Sequence, residues 1–302
     1  MGKLPKVAII MSTYNGEKFV GEQIDSILQQ KDVEVDVYIF DDKSTDNTVK
    51  IVTEYTKKHK NVILTVNEEN KNFTYNFLDG LFSLKDNNSY DYYAFCDQDD
   101  WWVEDKIISA IEKIKENGEC TLYSSNLKIV DGELNPTGNN YNHMVVDVLR
   151  RNCVTGCTAV MDKAFKELVT SHYPKDRIYL HDYWICLIAN FCKNAHFVYD
   201  PNPEHILYRQ HGSNQIGFQK IRFAKLKRYM QILFKKVPHE RTTTNLVTVF
   251  YHTFKDELKE EDKQVLEKIS EINKFKNRWW LLFCKRKSFT FQFRVRLFIN
   301  RY

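Results

Sequence analysis

KVAIIMSTYNG, residues 6–16, and VDVYIFDD, residues 35–42, decide how this chain folds. The first is an unbroken apolar run from Lys6 to Met11 that ends in Ser12-Thr13-Tyr14-Asn15-Gly16, the pattern of a strand buried on both faces and opening into a loop. Between the two runs Val20, Ile24, Ile27 and Leu28 recur at helical spacing, and the second run stops at Asp41-Asp42, so the segment reads as a βαβ unit. Outward from it the pattern repeats. Ser44 and Asp46 can cap a helix running through Tyr55, Val62 to Val66 reads as a third strand, Phe77 to Leu84 as a helix, and Tyr92 to Cys96 as a fourth strand. This alternation predicts an α/β fold with a doubly wound, mostly parallel mixed sheet. In such sheets ligands bind beyond the carboxyl ends of the strands, which here carry Ser12-Thr13-Tyr14, Asp41-Asp42 and Asp97-Gln98-Asp99-Asp100.

Past about residue 120 the alternation weakens. A strand is expected at Thr121 to Ser125, an extended segment at Leu127 to Val130 and a glycine-containing strand at Thr155 to Met161, together an antiparallel extension. Beyond residue 215 the pattern is helical, with Phe223, Leu226, Met230, Leu233 and Val237 three and four apart among many Lys and Arg.

The 302 residues are 43% hydrophobic and 28% charged with only 10 Gly and 6 Pro, which excludes a disordered or collagen-like chain. Apolar runs such as Trp279 to Cys284 fall far short of the roughly 20 residues that cross a bilayer, and no signal peptide is recognisable. Seven Cys without a C-x-x-C pair fit a reducing compartment better than a disulfide framework or a zinc knuckle, so the expectation is a cytoplasmic protein. The net charge of +4 conceals a segregation. Residues 1–215 carry 23 Lys+Arg against 32 Asp+Glu, a net of −9, whereas residues 216–302 carry 21 against 8, a net of +13. The acidic body argues against nucleic acid, and the basic tail suits an anionic membrane surface.

Three carboxylates within Asp97-Gln98-Asp99-Asp100 repel one another, and a divalent cation held by oxygen ligands relieves that repulsion. The same residues could instead cap a helix that starts near Trp101 and Trp102 and runs to about Glu116. Asp41-Asp42 can accept hydrogen bonds from a sugar hydroxyl or a base N–H, or simply open a loop, and Tyr14 offers a ring on which a base could stack. On the residues alone His181-Asp182 reads first as a cap before a helix from Trp184 to Ala189, with catalysis by Asp182 the lesser alternative.

Taken in order, Ser12-Thr13-Tyr14-Asn15-Gly16, Asp41-Asp42-Lys43-Ser44-Thr45-Asp46, Asn76-Phe77, Asp97-Gln98-Asp99-Asp100-Trp101-Trp102, Thr155-Gly156-Cys157, His181-Asp182-Tyr183-Trp184 and Tyr208-Arg209-Gln210-His211-Gly212-Ser213-Asn214 resemble the family-two inverting glycosyltransferases. Within that family the chain is most similar to bacterial rhamnosyltransferase-like members that build surface polysaccharides. The resemblance covers roughly residues 5–217. It implies a GT-A glycosyltransferase domain over residues 1–217 and leaves 218–302 as a helical, basic extension for membrane or oligomer contact. It also implies a dTDP- or UDP-linked sugar donor and a divalent cation, Mn or Mg. Position by position, Ser12, Thr13, Tyr14, Asp42 and Asp97 match the residues around the nucleotide. Asp99, with Asp97 and His211, matches the metal site. Gly156 and Cys157 match the segment lining the sugar, with Trp101 and Trp102 as stacking candidates. Arg209 and His211 match the loop over the diphosphate, and Asp182 matches the catalytic base.

Rhamnose is the favoured sugar on the same ground, with UDP-hexose or UDP-N-acetylhexosamine donors, or a non-catalytic saccharide-binding scaffold, as alternatives. A nucleotidyltransferase would need a Gly-rich basic loop after the first strand and a dehydrogenase a G-x-G-x-x-G after Met11; neither is present. A lipid-linked acceptor at the inner face of the membrane would give the tail its purpose, because in Lys274 to Tyr302 aromatic residues alternate with Lys and Arg.

Overall fold

Strand β1 (Lys6–Thr13) is the spine of the molecule, its side chains alternating between two apolar layers: Val7, Ile9 and Met11 face one, Ala8 and Ile10 the other, and all are fully buried. The structure, a computed structural model, describes residues 3–140, 148–149, 151–202, 204–211, 242–284 and 294. Parallel pairing joins β1 to β2 (Glu34–Asp41) on one side and to β4 (Tyr92–Cys96) on the other, and β2 to β3 (Val62–Val66). Helices α1 (Val20–Leu28) and α2 (Thr48–Lys58) cover the first layer through Val20, Ile24, Ile27 and Val52. Helix α3 (Phe73–Ser83) covers the second through Phe77, Leu78 and Leu81. Because β2 and β4 flank β1 on opposite sides, the chain order reverses between β1 and β4, and a crevice opens beyond their carboxyl ends.

The remaining elements complete two sheets. After a two-residue strand β5 (Trp101–Trp102) come α4 (Lys106–Asn117), β6 (Thr121–Ser125), β7 (Lys128–Val130) and β8 (Pro136–Asn140). Then follow β9 (Val160–Asp162), α5 (Lys163–Ser171), α6 (His181–Phe191), β10 (His196–Asp200) and β11 (Ile206–Arg209). The large sheet runs β10-β6-β9-β4-β1-β2-β3, with β9 antiparallel to both neighbours. The small sheet runs β5-β11-β7-β8 beside the crevice.

Four expectations are corrected. The segment Thr155 to Met161 is not one strand: Gly156–Thr158 is a 3₁₀ turn, closed by the Thr158 hydroxyl on the Thr155 carbonyl at 2.8 Å, and β9 begins after it. Helix α3 starts four residues before Phe77, because the Asn72 side chain accepts the Thr74 N–H at 3.0 Å and caps it. Helix α4 starts at Lys106 rather than beside Asp100, since pairing with β11 draws Trp101 and Trp102 into a strand. Helix α6 starts at His181 instead of Trp184, which puts Asp182 in its first turn.

The carboxyl-terminal helices α7 (Thr243–Phe254), α8 (Glu260–Ser270) and α9 (Phe275–Phe283) extend the second apolar layer. Phe250 and Phe254 meet Trp184 of α6 at ring separations of 6.0 and 5.8 Å. The stripe from Phe223 to Val237 lies outside the described residues, as do all but residue 294 of 285–302. No helix among the described residues is long and apolar enough to cross a membrane. If α7 belongs to the core, Phe250→Ala leaves a cavity against α6 and lowers the unfolding free energy by about 3–5 kcal/mol in denaturant titration. A loss below about 1 kcal/mol would show α7 to be a loose appendage.

Candidate active site

The crevice is framed by loops that hydrogen-bond one another. Asp41 is fully buried and accepts from the Thr13 hydroxyl at 2.8 Å and from the Ser44 N–H at 2.8 Å, tying the β1 loop to the β2 loop. Thr13 thus spends its hydroxyl inward. Asp42 accepts from Asn67 Nδ2 at 3.0 Å and from the Lys71 N–H at 2.8 Å, and Asn76 Nδ2 donates to Ser12 Oγ at 2.7 Å. Ser12 and Asp42 therefore share one polar network, while Tyr14 stands 43% exposed at its rim.

Asp97, Asp100 and Cys157 offer ligand atoms that all lie within 4.8 Å of one another. Burial, then the neighbouring charges of Asp99 and Asp182, push the Asp97 carboxyl up to about 7. Burial likewise pushes Asp100 well above the usual carboxylate range. Asp100 Oδ1 accepts the Arg209 N–H at 3.2 Å, while Oδ2 has no partner among the described residues. The Cys157 thiol, raised well above its ordinary value by burial and by both aspartates, stays protonated between them. Asp99 Oδ2 meets His211 Nε2 at 2.8 Å. Among the described residues the metal-type cluster is therefore Asp97, Asp100 and Cys157, and its crowded carboxylate oxygens suit a hard divalent cation such as Mg or Mn, while Asp99 is engaged by His211 at its edge.

Asp182 is delivered to the same cleft by the first turn of α6. Burial raises its carboxyl to about 7, against hydrogen bonds from the Tyr183 N–H at 2.7 Å, the Asn152 side chain and the Gly156 backbone. Both shifted carboxyls hold protons that the unfolded chain releases near pH 4, so together they cost the fold stability as pH rises from about 4 to about 7, and no more above that. His181 stacks on Phe77 at 4.2 Å, and its burial holds it neutral with a value lowered to about 3. A Cβ on Gly156 would sit 2.8 Å from His181 Nε2, which explains the glycine.

Two expected contacts face elsewhere. Trp102 is 1% exposed, with Lys106 Nζ 3.4 Å from its ring centroid, so it is a core anchor with no face for a sugar; Trp101 is half-buried beside it. Arg209 is 2% exposed and donates to the carbonyls of Asp99 and Gly132 at 3.1 and 2.6 Å and to Glu22 at 2.6 Å. In this arrangement its guanidinium braces the Asp99 loop. Gly212 to Asn214 lie outside the described residues.

Sequence reasoning missed Gln98. Its Oε1 accepts the Tyr14 N–H at 2.9 Å and its Nε2 donates to the Tyr14 carbonyl at 3.1 Å, clamping the loop after β1 onto the acidic loop after β4. A Cβ on Gly16 would lie 2.2 Å from that Oε1, so the glycine and the glutamine imply each other. A glycine three residues after the end of β1 was the available signal; the clamp itself is a long-range contact.

Residues 8–169 match the family model described as Glycosyl transferase family 2. The chain is 36% identical over 228 residues to the dTDP-rhamnosyl transferase RfbG of Shigella flexneri, covering 72% of this chain and 77% of that protein. Among solved structures it superimposes on S. aureus TarS 1-349 in complex with UDP-GlcNAc with a TM-score of 0.55, at 15% identity over 98% of this chain and 93% of the other. It also matches the mannosyltransferase PcManGT from Pyrobaculum calidifontis, in complex with GDP-Man and Mn2+, with a TM-score of 0.52 at 14% identity over 92% and 72%. These likenesses establish the GT-A fold.

The Gln98 clamp makes a coupled prediction. Gly16→Ala alone is expected to cost about 1–3 kcal/mol of unfolding free energy, and less than about 0.5 kcal/mol in a Gln98→Ala background, where the obstruction is gone. Additive losses in the four-protein cycle would show that the two residues do not meet.

Proposed function

This chain belongs to glycosyl transferase family 2, and we propose that it is an inverting transferase moving a sugar from a nucleoside-diphosphate donor to a saccharide acceptor in surface-polysaccharide synthesis. One observation carries the reading: a Cβ on Gly156 would lie 3.8 Å from the Asp182 Cβ, while the next residue, Cys157, has its thiol within 4.8 Å of the Asp97 and Asp100 carboxylates, so the acidic loop after β4 and the first turn of α6 meet across one short turn. The likeness to RfbG supports rhamnose from dTDP-rhamnose as the donated group. The acceptor is a saccharide carried on a lipid, met at the cytoplasmic face of the membrane.

Under this reading the network of Ser12, Asp42, Asn67 and Asn76 meets the nucleoside and Tyr14 stacks on its base. Asp99, His211 and Asp97 hold the divalent cation, which when bound supplies Lewis-acid stabilisation of the charge gathering on the leaving diphosphate. Arg209 serves that site through its grip on the Asp99 loop. Gly156 and Cys157 form the floor beneath the sugar, close enough to Asp182 for the Gly156 backbone to hydrogen-bond it.

Asp182 is the base. Its carboxylate takes the proton of the acceptor hydroxyl while that oxygen attacks the anomeric carbon; the bond to the diphosphate oxygen breaks on the opposite side, and the centre inverts. The raised carboxyl fits the task, because a base with a value near 7 is ionised at working pH yet strong enough to accept a hydroxyl proton. No covalent intermediate is needed, consistent with a Cys157 thiol held protonated.

Asp182→Asn is expected to lower kcat by about 10²–10⁴-fold while the affinity for dTDP or UDP, measured by calorimetry, changes less than about threefold. Turnover undiminished in this variant would remove Asp182 from the mechanism. In the unmodified protein kcat/KM rises with unit slope as pH increases, levelling above about 7 where Asp182 is ionised. A flat profile between pH 5 and 8 would contradict the assignment.

A further inference from the structure

Helix α9 has an anchored side and a bare one. On the anchored side Leu281 is fully buried, and Asn277 Nδ2 donates to the carbonyl and carboxylate of Glu271 at 3.2 and 3.1 Å. On the bare side Phe275, Trp279 and Phe283, four residues apart, are 67%, 43% and 71% exposed. Their rings stand in file, with centroids 5.9 and 5.5 Å apart. Three of the seven large hydrophobic residues exposed among the described residues thus lie on one nine-residue helix. An apolar file of this size held open to water by a fixed helix marks a contact surface.

The charge around the file says what the contact is. Glu271 is the last acidic residue of the chain; residues 272–302 carry nine Lys and Arg and no Asp or Glu. Glu271 is itself engaged, accepting from Lys274 Nζ at 2.7 Å. Lys276 and Arg278 sit between the aromatic residues, and Lys285-Arg286-Lys287 follow the helix in sequence. The partner must therefore be anionic at one depth and apolar immediately below it. A second copy paired edge to edge would bring the same positive charge against itself, and a nucleic acid backbone would leave two phenylalanine rings in water. A bilayer with anionic headgroups meets both demands, with cations at the phosphate level and Phe and Trp at the acyl boundary.

We propose that the Phe275, Trp279 and Phe283 face of α9 is a docking edge that seats the enzyme on an anionic lipid surface. This deepens the proposed function, on which it rests only for the reason to be at a membrane. The edge is part of the folded core rather than a free tail, because Leu281 and the partly buried Trp280 pack into the same apolar layer as α7 and α8. Docking through it fixes the enzyme's orientation as well as its location.

The test is flotation of the full-length protein with vesicles of phosphatidylcholine alone and of phosphatidylcholine with an equal amount of phosphatidylglycerol. The unmodified protein is expected to float with the anionic vesicles and to stay behind with the neutral ones. The triple variant Phe275→Ser, Trp279→Ser, Phe283→Ser is expected to lose at least about tenfold in partition, with its thermal midpoint and UDP or dTDP affinity unchanged. Equal flotation of the two proteins, or no flotation of either, overturns the proposal. So does a variant that instead converts a dimer to a monomer by light scattering, which would make the edge a contact between copies. Flotation needs no sugar transfer, so a protein that docks but does not turn over fails the functional reading alone, and one that transfers to a soluble saccharide but never floats fails this proposal alone.

Discussion

Carboxylates crowded at the rim of a sheet repel one another, and the architecture around this crevice is arranged to tolerate that repulsion. Asp97, Asp99 and Asp100 follow β4 within four residues, and the charge of Asp182 in the first turn of α6 bears on Asp97. The fold concentrates this acid where β1 and β4 part, the one place where the parallel sheet leaves a gap between outgoing loops. Neutral and cationic groups then fix each carboxylate in place. Gln98 clamps the neighbouring loop, Arg209 braces the Asp99 carbonyl, His211 meets the Asp99 carboxylate, and backbone N–H groups hold Asp182. On the proposed function, these contacts preorganise the site for a cation and a developing anionic leaving group.

Three of the parallel strands were legible because a strand buried on both faces reads as an apolar run: Val7 to Met11 and Tyr92 to Cys96 are unbroken, and Val35 to Phe40 is interrupted only by Asp36. The helix starts were less legible. Asn72 capping α3 from a positive φ of 66° carries a weak local signal, and the strand character of Trp101 and Trp102 exists only because β11, a hundred residues later, pairs with them. The turn at Gly156–Thr158 also departs from its composition: its residues suit a strand, and the Thr158 hydroxyl closes a turn on the Thr155 carbonyl instead.

The candidate site was readable by residue type and not by orientation. Sequence places Thr13, Trp102 and Arg209 near the crevice, but a hydroxyl, an indole or a guanidinium can face inward as easily as outward. Here Asp41, Lys106 and the pair of Glu22 with Gly132 determine the direction. Gln98 went unread because its partner is the backbone of Tyr14, which no side-chain pattern discloses. At the other end of the chain the density of aromatic and basic residues was plain, whereas the division of α9 into a buried and a bare side needed the packing of Leu281.

On the proposed function, the acidic loop after β4 holds a divalent cation against a nucleoside diphosphate. Calorimetric titration of Mn2+ into protein saturated with dTDP or UDP at pH 8, with Asp99→Asn as the comparison, tests it most directly. One Mn2+ site is expected in the unmodified protein, weakened at least about tenfold by the substitution, with nucleotide still bound. Equal Mn2+ affinity in the two proteins, or none in either, would contradict it.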